Sequence, residues 1–174
     1  GYYPPDGPRV FVQPAPLKEE YVRLHYDPRF RLPLYEIVFH DSVVSTHHWS
    51  ASSLKFSNVR DTVALTEILY QCPPLYHLNL DEWRKHRESV LKHCAFWCPT
   101  HRAIGFMPMT DFAWLTRDRL VQKTVFEGGV EVIANFSGDD YEAKDLGVPR
   151  RSVIVRGLTG SPREPYRPDD SKTP

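Results

Sequence analysis

The sequence predicts a mixed α/β chain in which a strand and two helices lead into a small antiparallel β-module. Three observations carry this. A short apolar run, Leu34–Phe39, lies between Pro33 and the polar pair His40-Asp41. Residues 59–70 and 80–96 repeat their apolar side chains at helical spacing. Beyond Leu120 the apolar period drops from 3.6 to 2, and a Gly-Gly pair interrupts it.

The elements follow in order. Residues 1–33 are rich in proline and aromatics, and each proline removes a backbone donor and biases its predecessor to extended geometry. An irregular segment is expected there, with a short strand at Val10–Gln13 and a brief helix at Lys18–Leu24. Leu34–Phe39 reads as a strand buried on both faces, as in a parallel sheet or barrel. Residues 42–57 are loop-like. Asn58 and Asp61 form a cap-like pair for the first helix, which Pro73-Pro74 stops. Asn79 and Glu82 cap a second helix, on which Trp83, Val90, Cys94 and Trp97 share a face and which Pro99 ends. Thr100–Thr110 is a connector. Leu120–Phe126 and Val130–Phe136 form a hairpin across Gly128-Gly129, with Val130, Val132, Ala134 and Phe136 on one face. Ser152–Arg156 is a third strand. After Gly157, proline, arginine, aspartate and serine dominate, and a mobile tail is expected. The parts are therefore 1–110, 111–158 and a tail at 159–174.

Composition narrows the function. Hydrophobic residues make up 41% of the 174, enough to bury a core. Lys plus Arg equals Asp plus Glu at 22 each, so the chain offers no electrostatic footprint for nucleic acid. No apolar run approaches the length of about 20 residues that spans a bilayer. Aromatics, at 13%, suit both a core and the stacking of sugar rings. Gly1-Tyr2-Tyr3-Pro4-Pro5 carries no leader pattern and no initiator Met, which suggests a processed chain or a piece of a longer one. Cys72, Cys94 and Cys98 are too few and too irregular for a disulfide framework and read as buried thiols.

His40-Asp41 is the sharpest chemical feature. At the end of a barrel strand a carboxylate can bind sugar hydroxyls or serve as acid, base or nucleophile. Glycoside cleavage uses two carboxyl groups flanking the scissile bond. The nearest other one, Glu36, would lie about 17 Å away on a strand rising roughly 3.4 Å per residue. Asp41 is thus the candidate catalytic residue, without a complete pair. The competing reading has Asp41 capping a loop and His40 filling a satisfied niche. In the following loop, His48 and Trp49 are candidates for the rim of a binding pocket, against a loop anchored by a buried Trp. Two groups resemble metal ligands: His40, Asp41, His47 and His48, and His93, Cys94, Cys98 and His101. Neither has zinc-like spacing, so no metal and no cofactor is expected. His40-Asp41 also matches the name of the HD phosphohydrolases, but a strand-end pair lacks their helix-borne partners. There is no phosphate-binding glycine loop and no nucleophile elbow.

Residues 32–44, LPLYEIVFHDSVV, and residues 115–126, LTRDRLVQKTVF, followed by GVEVIANF at 129–136, together resemble the C-terminal half of barrel glycosidases. The group they are most similar to is the endo-α-N-acetylgalactosaminidases and their uncharacterised relatives. His101-Arg102-Ala103-Ile104-Gly105 is similar to the connector found there. The resemblance implies the terminal part of a (β/α) barrel followed by a β-rich module, with the catalytic acid and nucleophile lying upstream. It implies an O-glycosyl hydrolase whose pocket receives Asp41 and His40, with His48 and Trp49 on the rim. The partners implied are a carbohydrate substrate and the remainder of the barrel. The reading from a different class is a non-catalytic carbohydrate-binding or interaction module.

Overall fold

The structure, a computed structural model, describes residues 26–46, 59–160 and 164–168. The expected strand at Val10–Gln13 and helix at Lys18–Leu24 lie outside them. The architecture is mixed α/β: helices cover one face of a four-stranded antiparallel sheet.

The chain enters through a 3-10 turn, Pro28–Phe30, capped by the Asp27 carboxylate, which accepts from the Arg29 backbone N–H at 3.0 Å. The Gln122 side chain donates to Pro28 O at 2.8 Å and ties this turn to the sheet.

Leu34–Phe39, expected as a strand, is a short helix, α1. Pro33 stands at its N-cap, where a missing N–H costs nothing. Glu36 and His40 are spaced i, i+4 and therefore share a helix face, and both are buried at 8% and 7% exposure. A strand would have put them on one face too, but alternating with Ile37 and Phe39. In the helix those two stay exposed, with Leu34 and Val38 at 65% and 63%. The polar pair is what α1 buries, and an apolar-run argument could not find that.

Helix α2, Arg60–Tyr70, starts from Val59 without a side-chain cap and is buried on all sides from Val63 to Tyr70. Gln71 ends it in the left-handed region at φ 55°. Helix α3, Leu80–Ile104, begins as expected, with Asn79 Oδ1 accepting from the Glu82 N–H at 2.8 Å. It does not stop at Pro99 but passes through it, because Phe96, Trp97, Thr100 and Ile104 continue one buried stripe across the proline. The His86 and His93 side chains also belong to that stripe, in place of the half-buried Trp83 and Cys94.

The sheet consists of β1 (Met109–Trp114), β2 (Val121–Phe126), β3 (Val130–Asn135) and β6 (Ser152–Arg156) in the order β1-β2-β3-β6, with every neighbour antiparallel. The expected hairpin and third strand are present. Gly128 and Gly129 hold φ of 82° and 80° in the turn, where a side chain would be strained. β1 was not expected: it starts in the last two residues of the expected connector and runs on to Trp114, an edge strand with a register irregularity between Met109 and Asp111 that blurs alternation. A two-stranded ribbon, β4 (Tyr141–Ala143) with β5 (Leu146–Val148), covers the other face around Val121, Ile133 and Val148.

One hydrophobic core joins Leu65, Ile68 and Leu69 of α2, Phe96 and Ile104 of α3, and Phe126, Val130, Val132, Ala134 and Val153 of the sheet. Phe136 packs against it, on the face the sequence assigns. The tail expected from 159 is in part structural. Tyr166 is buried in the same core and exchanges both backbone hydrogen bonds with Val153 at 2.9 Å. An aromatic with a place in a core overrides the polar residues around it.

Candidate functional site

The turn that carries His40 and Asp41 is built around α1. The chain reaches the helix through Arg31 and Leu32 and leaves it through Val43 to Thr46. Those two arms, with Tyr35 and Glu36 between them, enclose an open cleft of about 440 Å³. Polar groups at this cleft are Arg31, Tyr35, Glu36, Ser45 and Thr46; its apolar wall is Leu32, Val43 and Val44.

Beneath the cleft runs a seam of buried polar groups. The Cys72 thiol, next to the α2 C-cap, donates to Glu36 Oε1 at 3.4 Å, and Ser45 Oγ lies 3.8 Å from the same sulfur. Burial pushes the Cys72 thiol well above its usual range, and the Glu36 charge adds to this, so the thiol keeps the proton it donates. One turn along α1, His40 Nδ1 donates to Met107 O at 2.8 Å, and its ring rests on Phe126 at 4.9 Å. His40 Nε2 is buried and has no hydrogen-bond partner among the described residues. Its neighbour His101 is pushed below the usual histidine range, first by burial and then by His40. His101 stacks on Trp97 at 4.2 Å.

Asp41 is exposed, and its Oδ1 accepts from Ser42 Oγ at 2.7 Å. On a helix rising about 1.5 Å per residue, Glu36 and Asp41 are separated by roughly 7.5 Å along the axis. This replaces the longer spacing that a strand implies. The two carboxylates nonetheless leave α1 in different directions, Glu36 inward and Asp41 to solvent. His48 and Trp49 lie outside the described residues.

A second polar cluster lies under α3. Tyr76 Oη and His93 Nδ1 are 2.6 Å apart, and Glu67 Oε2 is 3.8 Å from the same nitrogen. Tyr166 packs on His93 at 5.4 Å. Burial holds His93 down to about 4. The nearby carboxylate would favour the charged ring, but the closer contact is a neutral hydroxyl and burial prevails. These residues border a space of only about 10 Å³, which admits one water at most.

Among the described residues no three His, Cys, Asp or Glu side chains are grouped as a metal site. Cys72, Cys94 and Cys98 are free thiols; only Cys72 is fully buried, and Cys98 is exposed rather than buried as expected. No helix among the described residues is long and apolar enough to cross a membrane. Sequence reasoning singled out His40 and Asp41 but passed over Cys72 and the inward role of Glu36. The i, i+4 spacing of Glu36 and His40 was the available signal, and it is legible only if the run is taken as a helix.

No curated protein matches the chain. A family model does, over residues 1–125, which takes in the cleft, helices α1, α2 and α3, and β1 and β2 up to the last residue of β2 but one. The chain belongs to the glycosyl hydrolases related to GH101 family, GH129.

Proposed function

We propose that this chain supplies sugar-contacting residues and a bracing β-unit to an O-glycosyl hydrolase. The observation that carries the proposal is the family match across residues 1–125, which spans the α1 turn and its cleft. Asp41, exposed just beyond α1, is the carboxylate offered to substrate hydroxyls or to charge that develops in the transition state. His40 anchors that turn through Met107 and Phe126, so it acts on the substrate through the position of Asp41. His48 and Trp49 follow in the chain and serve as the rim, with Trp49 as a stacking platform. The apolar side chains that α1 leaves exposed, Leu34 and Val38 foremost, offer a surface to the remainder of the enzyme's barrel.

The test uses an enzyme that carries this segment. Asp41→Ala is expected to slow turnover by tens- to several-hundredfold, on the order of 2–4 kcal/mol in the barrier, with little change in melting temperature. Trp49→Ala is expected to raise KM through lost stacking. If Asp41 only caps its turn, its removal lowers stability by about 1 kcal/mol and leaves kcat intact. A stable and fully active Asp41→Ala enzyme removes this residue from the site. The 174-residue chain alone is expected to hydrolyse no aryl glycoside above background, because Asp41 and Glu36 do not face one another across a common space.

A further inference from the structure

A carboxylate is costly to bury unless strong donors surround it. Glu36 is 8% exposed, yet its one side-chain hydrogen bond among the described residues comes from a thiol at 3.4 Å, a weak donor. An ionised carboxylate can accept at about four lone-pair sites. Glu36 thus retains most of its accepting capacity, and it lines the cleft of about 440 Å³. Tyr35 stands beside it, with an exposed ring that also meets Phe39 at 5.0 Å. Ser45 and Thr46 supply hydroxyls on the opposite arm. A carboxylate acceptor, small hydroxyls and an exposed aromatic ring match the hydroxyl edge and the apolar face of a pyranose.

We infer that the α1 cleft is a sugar-binding subsite distinct from Asp41, in which Glu36 accepts hydrogen bonds from sugar hydroxyls and Cys72 is the positioning residue that fixes the Glu36 carboxylate at the cleft floor. The ligand class is a neutral monosaccharide unit. A cleft of this volume has room for one such ring, and its lining sets Arg31 and the Glu36 carboxylate opposite an apolar wall of Leu32, Val43 and Val44. The inference rests on the carbohydrate reading above and adds the place and the residues. Cys72 acts through geometry: its sulfur sits between Ser45 Oγ and Glu36 Oε1, so one buried thiol links the helix carboxylate to the far arm of the cleft.

The experiment titrates N-acetylgalactosamine into the full 174-residue chain and follows backbone amides by two-dimensional NMR. Perturbation is expected at Tyr35, Glu36 and Ser45. Glu36→Gln, which keeps the shape and loses the charge, should weaken binding by about tenfold or more, the effect of a lost charge-assisted hydrogen bond. Cys72→Ala should weaken it through a loosened carboxylate, whereas Cys72→Ser, which keeps a donor at that position, should restore it. Val43→Trp, at an exposed position on the cleft wall, should block binding without entering the core, and it decides the matter if Glu36→Gln fails to fold. Wild-type affinity in both Val43→Trp and a folded Glu36→Gln overturns the inference. Perturbation that centres on Asp41 and spares α1 also overturns it, while leaving the carbohydrate reading in place. No perturbation anywhere on the chain with this sugar, or with galactose and glucose in turn, sinks both.

Discussion

His93 shows how burial fixes a side chain's chemistry. It is 2% exposed, in contact with Tyr76, Tyr166 and Glu67, and its conjugate acid is held down to about 4. The unfolded chain binds that proton near 6.5, so the folded state is favoured in full above this value. As pH falls from about 6.5 towards 4, the unfolded state gains a proton that the folded state refuses. Stability should then drop by on the order of 2–3 kcal/mol. Denaturant unfolding at pH 7.5 and pH 4.5 measures this. His93→Gln should flatten the difference, and an unchanged slope in that variant would assign the acid sensitivity to another group. The sequence showed His93 only as one member of a mock metal cluster with Cys94, Cys98 and His101. Helical phase separates them, with His93 turned to the core and Cys98 to solvent. Asp41 was visible because two polar residues ended an apolar run. Its exposed setting depends on α1 being helical, which no single residue announced.

Elements were legible where one periodicity acted alone. The hairpin is the clearest case: alternation, β-branched residues and Gly128-Gly129 all agree, and β2 pairs β3 in register from Val121 with Asn135 to Phe126 with Val130. Helix α1 was misread because six residues are too few to separate the two periods, and tertiary contacts of Glu36 and His40 decided the outcome. Pro99 misled for a related reason. A proline weakens a helix locally, but α3 has buried side chains on both sides of it. Joints between elements rest on a few buried bonds. Thr124 Oγ1 donates to Leu69 O at 2.7 Å and fastens β2 to the end of α2. Thr124→Val, which leaves that carbonyl unsatisfied, should cost about 1–3 kcal/mol in urea unfolding. Gly157 marks another joint, where an added Cβ would lie 2.6 Å from Gly129 O at a φ of +77°. Gly157→Ala should destabilise by on the order of 2 kcal/mol, read as a lowered melting temperature. A neutral result would mean that the β3–β6 end is free to open.

For the whole molecule, the α/β class and the order of its larger elements were legible, because the change of period near Leu120 separates helices from sheet. The union of both in one core was not. Tyr166 illustrates why: it lies in a stretch whose composition resembles a tail, yet it closes the core against His93, Phe96 and Val153. Tyr166→Ala should cost about 3–5 kcal/mol, the range for deleting a large buried aromatic. A change below 1 kcal/mol would show that residues 164–168 contribute little. Chelator treatment should leave the melting temperature unchanged, since neither sequence cluster has ligand spacing suited to zinc. A fall that zinc reverses would require a metal in the fold.

The family match stops at Val125, one residue short of the end of β2. The partners that complete the core, β3, β6 and Tyr166, come later in the chain. During synthesis at roughly 5–20 residues per second, the interval between Val125 and Tyr166 lasts about 2–8 s. Through that window α2 has at first only the β1–β2 pair to pack against, β2 presents an unpaired edge until β3 is complete, and β3 then presents one until β6 follows. A chain ended anywhere from residue 126 to residue 165 should therefore be protease-sensitive and aggregation-prone, whereas one that includes Tyr166 should resist both.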